Sequence, residues 1–194
     1  MAAIRFNPGP GPRSEGRAHF PPMAQLVAFH IALSLTGIVS GVVVVAGLIR
    51  NRLCRTWTGV FLASTVATSA TGFLFPFHVL LPSHGIGAVS LVVLAVAIYA
   101  LYAARLVGGW RRTYVATAVT ALYLNVFVLV EQAFQKVPAL KAAAPRQSEP
   151  PFLLAQVGTL ALFTALCMAA TRRFKVPVRG PASGGAGAPG AAGR

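Results

Sequence analysis

Between Trp57 and Arg105 two apolar runs of membrane-spanning length meet at a short corner, Phe75-Pro76-Phe77-His78-Val79-Leu80-Leu81-Pro82-Ser83-His84-Gly85. An α-helix rises 1.5 Å per residue, so about 20 apolar residues cross the hydrocarbon core of a bilayer. Two such runs joined almost without a loop would expose an apolar surface in water that a soluble fold of this size does not tolerate. The expected fold class is therefore all-α, an integral membrane helical bundle of five transmembrane helices with disordered N- and C-terminal tails. Composition agrees, since 10% of the chain is charged and 56% hydrophobic, against about 25% charged residues in an ordinary soluble domain.

Residues 1–22 are rich in Pro, Gly and Arg without an apolar period and are expected to be disordered. Met23-Ala24-Gln25 opens directly into the first span, which suggests Met23 as the native start. The transmembrane domain is expected over 23–175, followed by a Gly/Ala/Pro tail over 176–194. Its spans are predicted at about 24–49, 57–81, 85–106, 113–134 and 151–171, with a surface connection over 136–150.

On the first span His30, Ser34, Gly37 and Gly41 share a face, and Gly37 and Gly41 form a GxxxG that lets a neighbouring backbone approach. On the second, Ser64, Thr68, Thr71, Phe75 and His78 share another. Pro76 lacks an N–H and should free the carbonyl of Gly72. Ser83 is expected to cap the third span. The fourth carries Asn125, Glu131 and Gln132, and the fifth has Gln156 near its start.

The net charge of +14 comes from 17 Lys and Arg against Glu15, Glu131 and Glu149. These cations sit in short blocks at the ends of apolar runs rather than along a continuous basic face, which argues against nucleic acid and for topology signals. Placing Arg50, Arg52 and Arg55 inside also places Arg105, Arg111, Arg112 and the C-terminal cations inside. The N-terminus is then outside and the C-terminus cytoplasmic. Cys54 and Cys167 have no metal-ligand or disulfide spacing and read as free thiols.

In that orientation the polar intramembrane residues gather in the outer half. Such groups are costly in lipid and by default face the bundle and mark a site. A b-type haem would take axial imidazoles from His30 and His78, with small residues making room for the macrocycle. A metal would need three or four ligands, for which His30, His78, His84 and Glu131 are the candidates. A quinone would use the same histidines as hydrogen-bond donors. Against these stands a structural reading, in which Ser34, Gly37, Gly41, Thr71, Asn125, Gln132 and Gln156 form a packing and polar cluster and the histidines only bridge helices. Other chemistry lacks its residues: no Asp is available for a Ser-His-Asp triad, and neither a phosphate-cradling glycine loop nor a His-Glu-x-x-His appears.

The runs Thr71-Gly72-Phe73-Leu74-Phe75-Pro76-Phe77-His78, Ser83-His84-Gly85, Leu122–Gln132 with Lys136-Val137-Pro138, and Ser148-Glu149-Pro150-Pro151-Phe152 make the chain similar to small uncharacterised bacterial inner-membrane proteins. The resemblance covers about 23–174 and implies a compact helical membrane domain with no assigned activity. High Ala, Gly, Arg and Val content suits a GC-rich bacterial genome. The expectation from sequence is thus an accessory, non-enzymatic inner-membrane protein in contact with lipid and with another membrane subunit or a second copy. A haem-binding electron-transfer protein is the alternative, and a small transporter subunit a second one.

Overall fold

The computed structural model of the chain describes residues 22–74 and 82–175. Both expected tails, and the corner residues 75–81 with Pro76 and His78, lie outside the described residues. The described part is 85% helical without strands. Its elements are α1 (Pro22–Ile49), α2 (Arg55–Gly72), α3 (Pro82–Ile98), α4 (Trp110–Lys136), the short α5 (Pro138–Ala143) and α6 (Pro150–Arg173). A π-helical turn, Tyr99–Ala103, prolongs α3.

Four helices are long and apolar enough to cross a membrane: Met23–Ile49, Gly85–Ala103, Trp110–Lys136 and Pro150–Arg173. Their outer faces carry large apolar side chains in the open, such as Val39 at 60% exposure, Val92 at 65% and Leu154 at 70%. Water would penalise that surface and lipid does not. This is a membrane protein.

The expected second span is the exception. Over its described part α2 is not apolar enough to count with the other four, because Thr56, Thr58, Ser64, Thr65, Thr68, Ser69 and Thr71 dilute its Val, Phe and Leu. Thr58, Ser64, Thr65 and Thr68 are buried in the protein rather than turned outward. Several of these hydroxyls donate back along the helix, Ser64 to the carbonyl of Val60 at 2.7 Å and Thr68 to that of Ser64 at 2.8 Å, so they are satisfied without water.

Helices α1 to α4 close into a ring in which α1 packs on α2, α2 on α3, α3 on α4 and α4 on α1, while α6 lies outside against α4 and α1. The core sits toward the end of the ring where α1 finishes, around Val44, Leu48, Phe61, Leu94, Val115 and Leu122. Gly41 lets this core close. A Cβ there would stand 2.6 Å from Leu122 Cδ1 and 2.9 Å from the Phe61 ring, so a larger residue would force Leu122 or Phe61 to shift where glycine lets α2 and α4 approach.

Turn chemistry sets the boundaries. Val137 is extended ahead of Pro138, which stops α4 and begins α5 with a proline in its first turn. Pro150 and Pro151 likewise start α6 after Glu149. At the end of α3, Arg105 and Leu106 take left-handed conformations, with φ of 49° and 61°, and the Leu106 N–H returns to the Ala100 carbonyl at 3.0 Å. This closes the helix as a left-handed C-terminal turn does. Helix α3 starts at Pro82, so Ser83 falls inside its first turn instead of capping it; a proline favours the first helical position because its φ is already helical.

Candidate functional site

At the end of the ring opposite the core, the four helices diverge around a cavity of about 610 Å³. It is bounded by the N-terminal half of α1, the C-terminal end of α2, the N-terminal half of α3 and the C-terminal half of α4. That alternation of ends shows that the ring helices run up and down. From α1 come Val27, His30, Ile31, Ser34 and Leu35; from α2 and its end, Thr68, Ser69, Gly72 and Phe73. Ile86, Gly87 and Ser90 of α3 face it, as do Leu124, Asn125, Val128, Leu129, Gln132 and Lys136 of α4.

Room exists because the facing positions on α2 and α3 are small. Gly72 opposes the edge of the His30 ring, and Gly87 lies under Phe73. Between these two helices the Ser69 hydroxyl donates to Ser90 at 3.2 Å. The lining is predominantly apolar with a few polar groups, the usual make-up of a small-molecule site, and its volume is within the usual range of about 300–1,000 Å³.

His30 is tethered. Its Nδ1 is 2.9 Å from the Thr71 hydroxyl, and that hydroxyl donates to the Thr68 carbonyl at 3.1 Å. In the tautomer with its proton on Nδ1 the ring donates to Thr71 while that hydroxyl donates on to Thr68; in the other, Nδ1 accepts from Thr71. One turn deeper, the Ser34 hydroxyl donates to Asn125 Oδ1 at 3.3 Å and links α1 to α4. The Asn125 amide nitrogen, buried and without an acceptor among the described residues, turns toward Gly37. A Cβ on Gly37 would lie 2.9 Å from that nitrogen and 3.0 Å from Thr65 Oγ1, a second buried group without a partner. Gly37, Thr65, Ser34 and Asn125 thus make the cavity floor a polar crossing of three helices.

The residues expected to cluster separate into two places. His30, Ser34, Asn125 and Gln132 line the cavity, Thr71 holds His30 in it, and Gly37 and Gly41 set the packing beneath. Glu131, on a different face of α4, and Gln156 of α6 lie outside the cavity. The Glu131 carboxylate accepts from Gln135 Nε2 at 3.2 Å, its backbone carbonyl accepts from Gln147 Nε2 at 2.9 Å, and Gln156 Nε2 donates to the Phe127 carbonyl at 3.3 Å across the α4–α6 contact. His84 falls in the first turn of α3, its side chain outside what is described, and His78 lies outside the described residues altogether. Among the described residues no three His, Cys, Asp or Glu side chains stand close enough to hold a metal ion.

Sequence reasoning missed Lys136, which it assigned to the surface connection. The signal was present: Lys136 stands four residues after Gln132 and eleven after Asn125, a spacing that stays on one helical face. Comparison with protein-family models, with curated proteins and with solved structures finds nothing that matches the chain.

Proposed function

We propose that this is a non-enzymatic protein of the bacterial inner membrane that binds one membrane-dissolved amphipathic molecule between its helices. The observation that carries the reading is the 610 Å³ cavity, with apolar walls and polar groups concentrated at His30, Gln132 and the Ser34–Asn125 floor. Five crossings belong to the same proposal. The polar side of α2 is buried in the ring, its C-terminal end is level with the start of α1, and its N-terminus follows the short turn after Ile49. A helix held so need not be apolar all round to span. Five crossings with the Arg50–Arg55 turn inside put the N-terminus outside and the cavity in the outer half.

A second reading is favoured by the tether on His30. In its Nδ1–H tautomer, the Thr71 contact would orient His30 as a second partner orients metal-ligating imidazoles, and a b-type haem would take His30 as one axial ligand and His78 as the other.

One preparation tests both. The purified protein in lipid nanodiscs is expected to release a stoichiometric small amphiphile on denaturation, seen by mass spectrometry, and Val128→Trp, which fills the cavity from α4, is expected to abolish it. A Soret band that shifts on reduction and disappears in His30→Ala would establish the haem reading instead. Release of the same molecules, in the same amounts, from wild type and the filled variant would end the binding proposal.

A further inference from the structure

Resting on that binding reading, we infer that the occupant is a single-chain amphiphile with an anionic head, held at the cavity end by Lys136 and Gln132 with its acyl chain along Ile31, Val128 and Leu129. Among the described residues that line the cavity, Lys136 is the only one with a charged side chain. Neither described carboxylate is a partner of Lys136: Glu131 accepts from Gln135 through one oxygen, its other being buried without a partner among the described residues, and Glu149 accepts the backbone N–H groups of Arg146 and Ser148. Lys136 is exposed where the cavity opens, neither described carboxylate accepts from it, and its ammonium is placed to donate a charge-assisted hydrogen bond to an anion brought by a ligand.

A lysine can also serve only to complement the negative end of its helix, and Lys136 is in the last turn of α4. That role does not require the cavity face, since any side of the last turn would do. Lys136 shares its face with Gln132, one turn away, whose amide supplies a second N–H donor, and together they mark one end of the space. Away from them the apolar lining is Leu129, Val128 and Leu124 on α4 and Ile31 and Leu35 on α1, with His30, Ser34 and Asn125 as the polar groups among them; Gln132 to Leu124 is about 12 Å along the helix. A charged end followed by a mainly apolar wall of this length matches a head and the first part of one chain. The volume suits one drug-sized molecule.

A carboxylate and a phosphate both meet this description, and the experiment separates these sources. Full-length protein in nanodiscs of zwitterionic lipid is titrated with a long-chain carboxylate bearing a nitrobenzoxadiazole fluorophore at the chain end. The bound probe is then displaced by oleate, oleyl alcohol or lysophosphatidylglycerol. Oleate is expected to displace it at about tenfold lower concentration than oleyl alcohol, the size of one charge-assisted hydrogen bond. Lys136→Gln should erase that preference by weakening oleate alone, and Lys136→Arg should keep it. Stronger displacement by lysophosphatidylglycerol than by oleate assigns the head to phosphate and supports the anionic class. Equal displacement by oleate and oleyl alcohol, or an unchanged preference in Lys136→Gln, overturns the anionic head while leaving the cavity as a site. If Val128→Trp and Leu35→Trp, each verified as monodisperse and helical, bind the probe as wild type does, the cavity reading itself fails.

Discussion

Gly41 and Asn125 show how single positions hold the ring. Alanine at 41 would drive a methyl group into the Leu122 side chain and the Phe61 ring, both almost fully buried, so that one or both must shift inside a packed core. Overpacking of this kind costs about 1–3 kcal/mol. Gly158 gives the contrast, since a Cβ there meets nothing within 4 Å. Gly158→Ala should be neutral to slightly stabilising, and Gly41→Ala clearly destabilising, in unfolding measured by steric trapping in bicelles; equal effects would refute the close approach. Asn125→Ala removes the acceptor of the Ser34 hydroxyl. Polar contacts between membrane helices are worth about 0.6 kcal/mol on average and up to about 1.7, and a loss in that range is expected by the same method. The pattern Gly37-x-x-x-Gly41 was readable in the sequence as a close approach. Its partners were not, because Phe61, Leu122 and Asn125 meet it only through the rotation of α2 and α4 about their own axes.

At the scale of elements, α6 is held at each end by a different device. At its C-terminus Arg111 of α4 donates to the carbonyls of Thr171 and Phe174, satisfying groups that a helix end leaves open. Arg111→Ala is expected to cost about 1–2 kcal/mol locally and to speed hydrogen exchange of residues 171–175 while sparing 150–156. At its N-terminus Glu149 gathers the preceding turn, its carboxylate accepting from the N–H groups of Arg146 and Ser148 at 3.0–3.3 Å. Desolvation pushes that carboxyl up, but these N–H donors and the Arg146 charge outweigh it and hold Glu149 below the usual carboxylate range. A depressed folded value means that its stabilisation is present above the unfolded carboxyl range, near about 4.3, and disappears as pH falls through the lower folded value. Protection of the 146 and 148 amides should follow that course in wild type, lose this pH dependence in Glu149→Gln, and be absent at all pH in Glu149→Ala. The sequence showed the Pro150-Pro151 start of α6 and the long connection before it. It did not show α5, whose six residues lack a period long enough to read.

For the whole molecule, the number of crossings is the open quantity that one labelling experiment decides. With five, three crossings separate residue 51 from residue 146. Single cysteines at Asn51 and Arg146, in a chain with Cys54 and Cys167 replaced, should then react with an impermeant maleimide from opposite sides of the membrane. Reaction from the same side would remove α2 from the crossings. The four strongly apolar helices were legible from composition and length alone, since lipid imposes both. The division of the polar residues was not. Glu131 and Gln132 are neighbours in sequence and equal in depth, yet one helical step of about 100° turns one toward the Gln135–Gln147 contacts and the other into the cavity.

The hydroxyl-rich side of α2 carries a consequence for biogenesis. A segment that keeps Ser64, Thr65 and Thr68 away from lipid only by leaning on its neighbours lacks the hydrophobicity to partition from the translocon unaided. Helix α1, made first and packed most closely along it, would have to wait at the lateral gate and escort it in. In a glycosylation-based insertion assay α2 followed by its own corner should integrate poorly alone and efficiently behind α1, and replacing Gly37 and Gly41 with leucine should take that help away.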